Sequence, residues 1–483
     1  MNYFCLSRNR KTEPGVCIKL YYGIMTLIKS ISGIRGTIGG KTGENLSPVD
    51  IVKFTAAHIR FIQSQKGKRN IRIVVGRDAR LSGEMLEKLV AATASGMGAD
   101  VINTGLSTTP TVEMAVINSQ SDGGIILTAS HNPKQWNALK LLNEKGEFLN
   151  NEEGREVLRL AEKLDFDFAP VDKLGKITED RSWIDQHIEA VLKLELVNRN
   201  LISSADFKVV VDGINSSGGV AIPRLLQALG VQQIVELNCE PTGEFAHNPE
   251  PLAENLTEIS ACVRSEKADL GIVVDPDVDR LAFVMENGEM FGEEYTLVAI
   301  ADYILQHKKG NTVSNLSSTR ALRDITEKAG GTYTAAAVGE VNVVAKMKET
   351  EAVIGGEGNG GVIYPELHSG RDALVGVGLF LTFLAGKKIK ISELRAGYPN
   401  YYISKNKIIL KPGTDLPALY NKVKAHYATF PILDIDGIKV DFPDGWVHLR
   451  TSNTEPILRI YAESITHRKA EAYAKEVIKL LQN

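Results

Sequence analysis

A strand, a turn, a helix, a glycine and a second strand recur in that order three times along this chain, and no other feature limits its fold so much. The first copy begins at Ile71-Arg72-Ile73-Val74-Val75, turns at Gly76-Arg77-Asp78, continues as a helical stretch over 82–95, and passes Gly98 to Val101-Ile102. The second begins at 207–211, turns over 212–219, and continues through a helix ending at Leu229 and Gly230 to Ile234-Val235. The third begins at 312–315, continues as a helix over 321–328, and passes Gly331 to a strand over 333–336. Strands alternating with helices at this spacing predict parallel α/β units, and three copies predict repeated domains. The C-terminal part differs. Ile438-Lys439-Val440, the Pro443-Asp444-Gly445 turn and the stretches 446–449 and 458–461 read as antiparallel strands, and 467–481 as a closing amphipathic helix. The predicted fold class is therefore α/β, with three repeated α/β domains and a C-terminal α+β domain around a central cleft. The expected divisions are 25–180, 181–292, 293–398 and 399–483. Residues 1–24 look unlike the rest, and Arg8, Arg10, Lys11 and Lys19 break up any signal-type apolar run. They are expected to be a leader or a mis-assigned start ahead of Met25.

Each copy then supplies a second apolar strand that ends in a polar loop. In open α/β sheets ligands bind at such carboxyl ends, so three of them can build one site. The first loop is Thr128-Ala129-Ser130-His131-Asn132-Pro133. Pro133 fixes its own φ and restricts Asn132, so the loop cannot run on as helix. Ser130 is thereby held on a stiff, exposed loop as a candidate covalent carrier. An ordinary Ser/Asn/Pro turn has the same composition.

The second loop is Asp275-Pro276-Asp277-Val278-Asp279-Arg280. On extended backbone the alternating Asp275, Asp277 and Asp279 face one way. Three close carboxylates repel unless a cation joins them, and hard oxygen donors suit Mg²⁺. A solvated acidic turn is the plain alternative. An EF-hand is excluded, because Arg280 stands where that loop requires glycine and the flanks read as strands. In the third loop, Gly356-x-Gly358-x-x-Gly361 matches a dinucleotide fingerprint, but Tyr364-Pro365 and the His368-Ser369-Gly370-Arg371 turn follow where a helix should start. Its glycines are read as allowing close approach of a ligand, with Glu357 and Asn359 as polar contacts. A fourth loop, Arg450-Thr451-Ser452-Asn453-Thr454-Glu455-Pro456, offers a guanidinium, hydroxyls and an amide to a phosphate dianion. A polar turn with an incidental arginine is its alternative.

Composition narrows the partners. The net charge of −3 over 483 residues gives no basic field for nucleic acid or an anionic membrane. The longest nearly apolar stretch, 373–386, is too short to span a bilayer and reads as a buried core helix. Four cysteines without metal-type spacing fit a reducing, cytoplasmic setting.

Together these loops resemble the α-D-phosphohexomutase family, from about residue 28 to the C-terminus. Ser32-Gly33-Ile34-Arg35-Gly36, Gly76-Arg77-Asp78-Ala79-Arg80-Leu81-Ser82-Gly83 and His247-Asn248-Pro249-Glu250-Pro251-Leu252-Ala253-Glu254-Asn255-Leu256 also look like family motifs. The resemblance implies an enzyme in which Ser130 carries a phosphoryl group and Mg²⁺ sits between Asp275, Asp277, Asp279 and one phosphoserine oxygen. It implies Lys140 as proton-transfer partner and Arg35 and Arg280 as positive groups around the phosphoryl in flight; His131 joins them as a catalytic candidate. A hexose bisphosphate would serve as primer and intermediate, with Arg450, Ser452, Asn453 and Thr454 holding the unreacting phosphate.

The sugar loop departs from most bacterial members, whose pattern reads Gly-Glu-x-Ser-Gly/Ala-His. Asn359 replaces the serine and Gly361 the histidine. Glu340 stands where the phosphomannomutase/phosphoglucomutase branch has a histidine, and a carboxylate there can pair with the 2-ammonium of glucosamine 6-phosphate. The expected substrate is a hexose or hexosamine phosphate, with glucosamine favoured over mannose or glucose. A phosphatase would lack the second phosphate clamp, and a non-catalytic sugar-phosphate sensor would have lost Ser130 or an aspartate. The sequence leaves the oligomeric state open.

Overall fold

The computed structural model describes residues 25–30, 33–411, 413–452 and 457–482. In the first domain seven strands lie in the order Ile28–Ser30, Gly33–Thr37, Trp136–Leu142, Gly123–Leu127, Arg72–Arg77, Asp100–Leu106, Ile177–Glu179. The last four are mutually parallel, as the βα alternation predicts. The second sheet has the order Leu281–Met285, Leu270–Val274, Lys208–Asp212, Gln233–Leu237, and the third Tyr333–Ala336, Asn311–Asn315, Ala352–Glu357, Gly361–Ile363.

The same departure from pure parallel order occurs in all three. Gly123–Leu127 returns antiparallel as Trp136–Leu142, Leu270–Val274 as Leu281–Met285, and Ala352–Glu357 as Gly361–Ile363. The polar loops read from the sequence are thus hairpin connections. Both ends of each loop are tied into a sheet ladder, which holds its side chains more firmly than a strand-to-helix turn would.

Local sequence starts the helices that flank these sheets. Ser47 and Asp50 form a capping box ahead of helix Pro48–Lys66, and Asn150 and Glu153 do the same ahead of Asn151–Lys163. Asp372 caps Ala373–Lys387, accepting from the amide of Leu374 at 2.8 Å. That helix is buried from Ala373 to Ala385, as its unbroken apolar sequence predicts. Its packing joins two domains. One continuous apolar core runs from Ile184 to Tyr398, and Phe283 beside the second-domain loop stacks on Phe380 of the helix at 3.8 Å. Each such side chain contributes about 1.5–3 kcal/mol on burial, so the second and third domains are held as one body. The first and fourth domains keep separate cores.

The fourth domain is an antiparallel sheet in the order Tyr402–Ile409, Ile457–Ser464, Gly445–Thr451, Ile438–Phe442, Ile432–Leu433, backed by Leu416–His426 and His467–Gln482. Strand Tyr402–Ile409 and helix Leu416–His426 were not legible in the sequence. The strand's centre, Ser404-Lys405-Asn406-Lys407, is polar and no residue of it is fully buried, so it lacks a strong apolar signal. Among the described residues no helix is long and apolar enough to cross a membrane.

Candidate active site

The Ser130 loop connects Gly123–Leu127 to Trp136–Leu142. Its carbonyls point inward, and one guanidinium gathers them. Arg80 Nη2 donates to the carbonyls of Ser130 and, at 2.7 Å, Asn132; Nη1 donates to those of Pro133 at 2.8 Å and Trp136 at 3.0 Å. Arg80 Nε donates to Asp78 Oδ2 at 3.0 Å, and Thr128 Oγ1 donates to the same oxygen at 2.6 Å. Asp78 and Arg80 are almost wholly buried. Ser130 itself sits at φ +47°, in the left-handed region, and is only 8% exposed. The exposed loop expected from sequence is therefore a buried one. Its stiffness comes chiefly from Arg80, because hairpin-turn carbonyls have no ladder partner and must be satisfied from elsewhere.

The reason for the burial is the second domain. Ser130 Oγ donates to Asp275 Oδ2 at 2.7 Å. The Asp275–Arg280 loop is a turn rather than extended backbone. The Val278 amide donates to the Asp275 carbonyl at 3.0 Å, Val278 lies at φ +64°, and the amides of Asp279 and Arg280 donate to Asp275 Oδ1. Alternation on a strand is thus not what aligns the aspartates. The turn wraps around Asp275 and brings one oxygen of each carboxylate within 4.8 Å of the others. All three are buried, and Asp277 Oδ1 and Asp279 Oδ1 have no hydrogen-bond partner among the described residues. Burial, with Asp279 and Asp277 adjacent, pushes the Asp275 carboxyl well above its usual range. Three buried carboxylates with two oxygens left unpartnered form an all-oxygen set that fits a hard divalent cation.

Lys140, on Trp136–Leu142, donates to Asp277 Oδ2 at 2.7 Å and Asp279 Oδ2 at 3.3 Å. Against the burial that would lower it, Asp277 and Asp279 hold its ammonium above the ordinary lysine range. The same Lys140 holds Asp277 below the ordinary carboxylate range despite burial. Thr109 Oγ1 donates to Asp277 Oδ2 at 2.5 Å and its amide to the Asp277 carbonyl at 2.8 Å, so two contacts from the first domain fix this aspartate. His131 Nδ1 lies 3.4 Å from Ser130 Oγ. Burial and then Arg280, with Arg35 adding, push its imidazole down to about 2, so it is neutral at pH 7. Burial and Arg280 likewise lower Arg35. Two mutually repelling guanidiniums beside a serine are an arrangement that an anion would relieve.

On the sugar-loop side, Glu357 Oε1 accepts from Asn315 Nδ2 at 2.8 Å and from the Gly339 amide at 3.1 Å. Asn359 Oδ1 accepts from the Gly361 amide at 3.2 Å. The loop glycines serve protein contacts rather than the ligand approach expected from sequence. A Cβ at Gly358 would lie 1.9 Å from Glu294 Oε2, and one at Gly360, at φ +86°, 2.3 Å from the Leu281 carbonyl. The Leu281 amide also donates to the Gly360 carbonyl at 3.0 Å, so the sugar loop is hydrogen-bonded to the strand that leaves the Asp275–Arg280 loop, the candidate metal loop. Glu340 opens helix Glu340–Thr350 and already has a partner, accepting from Arg371 Nε at 2.8 Å. In the fourth domain Arg450 lies one residue before the end of strand Gly445–Thr451, with Nε unpartnered among the described residues, and Ser452 follows the strand. Asn453 and Thr454 lie outside the described residues, as does Ser32.

Four family descriptions match consecutive parts of the chain. They are phosphoglucomutase/phosphomannomutase alpha/beta/alpha domain I over residues 27–168, domain II over 185–288, domain III over 292–401, and the C-terminal domain over 407–480. The chain belongs to the phosphoglucomutase/phosphomannomutase family. A phosphoglucomutase/phosphomannomutase of Thermococcus kodakarensis is 35% identical, over 92% of this chain and 98% of that protein. A phosphoglucosamine/phosphogalactosamine mutase of Sulfurisphaera tokodaii is 30% identical, over 93% and 98%. The crystal structure of a family protein from Burkholderia thailandensis superposes with a TM-score of 0.81 at 26% identity, covering 95% of this chain and 96% of that one. The chain is accordingly a phosphohexomutase, an isomerase.

Three residues that hold this mutase's site together were not singled out from sequence: Arg80, Thr109 and Arg371. Arg80 lay within a quoted motif but had no role, and Arg371 was read only as part of a turn. Arg80→Met is expected to destabilise the mutase by about 3–5 kcal/mol, since it leaves Asp78 buried without its cation and takes the guanidinium donors away from the loop carbonyls, of which Pro133 keeps the Trp136 amide. Urea denaturation checks this. An unchanged midpoint would mean that the loop is held by its neighbours on the second domain instead, where Glu244 pairs with Lys134 and Asp275 accepts from Ser130.

Proposed function

We propose that this phosphohexomutase interconverts the 6- and 1-phosphates of a hexosamine, glucosamine best, by passing a phosphoryl group through Ser130. The carrying observation is the position of Ser130 Oγ, 2.7 Å from Asp275 and beside the orphaned oxygens of Asp277 and Asp279. Phosphoryl transfer needs positioning and charge neutralisation more than covalent assistance. Asp275, Asp277 and Asp279 would hold a Mg²⁺ ion, which would supply part of that neutralisation. Arg35 and Arg280 supply the rest at the equatorial oxygens.

In the forward step the bond between phosphorus and Ser130 Oγ breaks, and a bond to the free sugar hydroxyl forms. Lys140, held as an ammonium, gives a proton to the leaving serine oxygen and takes up the proton released by the attacking sugar hydroxyl, so the ammonium is restored within the step. His131, neutral but far too weak a base to carry the sugar proton, orients the reacting oxygens by hydrogen bonding. The product of this step is a hexose bisphosphate, which also serves as the primer. It reorients and returns its other phosphate to Ser130, while Arg450, Ser452, Asn453 and Thr454 hold the phosphate that is not reacting.

Glu357 and Asn359 face the sugar hydroxyls, and Glu340 faces the substituent at C2. A carboxylate offers about four acceptor positions, so Glu340 can accept from Arg371 and still pair with an ammonium. A second reading, a neutral glucose or mannose phosphate, draws on the same bond, because Arg371 already offsets much of the Glu340 charge.

The test is kcat/KM for glucosamine, mannose and glucose 6-phosphates with Mg²⁺ and a bisphosphate primer. Glucosamine is expected to lead by about tenfold or more, a difference of roughly 1.4 kcal/mol in transition-state binding. Glu340→Gln is expected to remove most of that lead. A glucose or mannose preference in the parent enzyme would move the assignment to the second reading.

A further inference from the structure

Arg371 distributes one guanidinium among three carboxylates from three separate segments. Nη2 donates to Asp279 Oδ2 of the metal loop at 2.8 Å, Nε to Glu340 Oε2 at 2.8 Å, and Nη1 to Glu357 Oε2 of the sugar loop at 2.9 Å. Its backbone is anchored through its neighbour. Asp372 Oδ2 accepts from His187 Nε2 at 2.9 Å and from His368 Nε2 at 3.2 Å, and His187 Nδ1 meets Thr111 Oγ1 at 2.9 Å. The turn that presents Arg371 is thereby tied to the first and second domains as well as its own.

The stem of Arg371 also accounts for a departure in the sugar loop. A Cβ at Gly361 would lie 2.3 Å from Arg371 Cδ. A histidine at 361, as in most bacterial members, is sterically incompatible with this arginine. Gly361 and Arg371 therefore go together: the guanidinium occupies the space that a side chain at 361 would need.

We propose that Arg371 is a positioning residue that aims Asp279 at the cation and sets how strongly the site selects an amino sugar. With Arg371 and Lys140 both donating to Asp279 Oδ2, the other oxygen, Oδ1, is buried without a hydrogen-bond partner among the described residues. By holding Glu340 and Glu357 it compensates two carboxylates that would otherwise favour only a cationic sugar. A neutral hexose depends on that compensation, whereas the ammonium of an amino sugar can replace part of it. The selectivity half of this inference rests on the proposed substrate class; the Asp279 half does not.

The test uses Arg371→Lys and Gly361→Ala beside the parent. Lysine keeps the charge but cannot span three carboxylates. Alanine at 361 presses the arginine stem out of place and serves if the lysine variant does not fold. Calorimetric titration with Mn²⁺, without sugar, should show affinity weakened by about tenfold, the range for loss of a group that orients a metal ligand. The kcat/KM ratio of glucosamine to glucose 6-phosphate should rise by about tenfold, because the neutral sugar loses more. Glu340→Gln should move that ratio the other way and leave the Mn²⁺ affinity unchanged. If both variants lower kcat equally for the two sugars and bind Mn²⁺ as the parent does, Arg371 is merely structural and the inference is overturned. A parent enzyme inactive on every hexose phosphate would overturn the substrate reading instead, with the Mn²⁺ titration still deciding the Asp279 half.

Discussion

Replacing Ser130 by alanine is expected to cut turnover by about four orders of magnitude, roughly 5.5 kcal/mol of barrier, while the protein stays folded. The structural half of this expectation rests on what the hydroxyl does. It donates to Asp275 Oδ2, but Asp275 Oδ1 still accepts from the amides of Asp279 and Arg280, so the metal loop keeps its turn. The Ser130 carbonyl still accepts from Arg80, so the serine loop keeps its grip. At φ +47° both serine and alanine carry a Cβ, and the backbone strain of the left-handed region is the same in the two proteins. The one bond lost is the donor to the buried Asp275 Oδ2, so stability should fall by no more than about 1–3 kcal/mol. The measurement pairs a coupled mutase assay with a urea transition. Near-normal turnover in a folded Ser130→Ala protein would sink the phosphoserine mechanism, and loss of both activity and fold would show that the hydroxyl is structural.

The second large effect is expected at Asp277. Asp277→Asn should weaken divalent-cation binding by about 10²-fold or more, because the carboxylate that leaves is a proposed ligand and losing even an outer partner costs 10–100-fold. It should also lower kcat, since Lys140 loses the closer of its two carboxylate partners, at 2.7 Å against 3.3 Å. The position itself should hold, because the Thr109 amide continues to donate to the Asp277 carbonyl. Titration of activity with Mg²⁺ and direct calorimetry with Mn²⁺ check the two parts. An unchanged metal midpoint would remove Asp277 from the ligand set, leaving its bonds to Lys140 and Thr109 as its whole role.

The legible and illegible parts of the site divide along a physical line. Ser130 and the three aspartates could be read because each lies in a short motif that follows an apolar strand, and such motifs carry their own chemistry. The conformation of those motifs could not be read. The aspartates alternate in sequence and so suggest an extended strand, yet Asp275 accepts from two amides further along the loop and closes a turn. Glu340 was singled out from sequence as a carboxylate for the sugar, but its ion pair with Arg371 was not legible. Its partner is 31 residues away and was taken for part of a turn.

From the sequence alone came the fold class, the threefold α/β repeat, the buried helix Ala373–Lys387 and the polar loops at the strand ends. These depend on periodicity and residue type within a window of ten or fifteen positions, where the 3.6 and 2.0 repeats of helix and strand act directly. Only the tertiary structure decided how the loops close on one another. Thr109 reaches Asp277 across 168 positions, Ser130 reaches Asp275 across 145, and Arg371 reaches Asp279 across 92. Bonds of this range leave no local pattern. They become strong because the shared apolar core and the hairpin ladders exclude water from the loops. There a buried carboxylate without a hydrogen bond or a cation is too costly to persist.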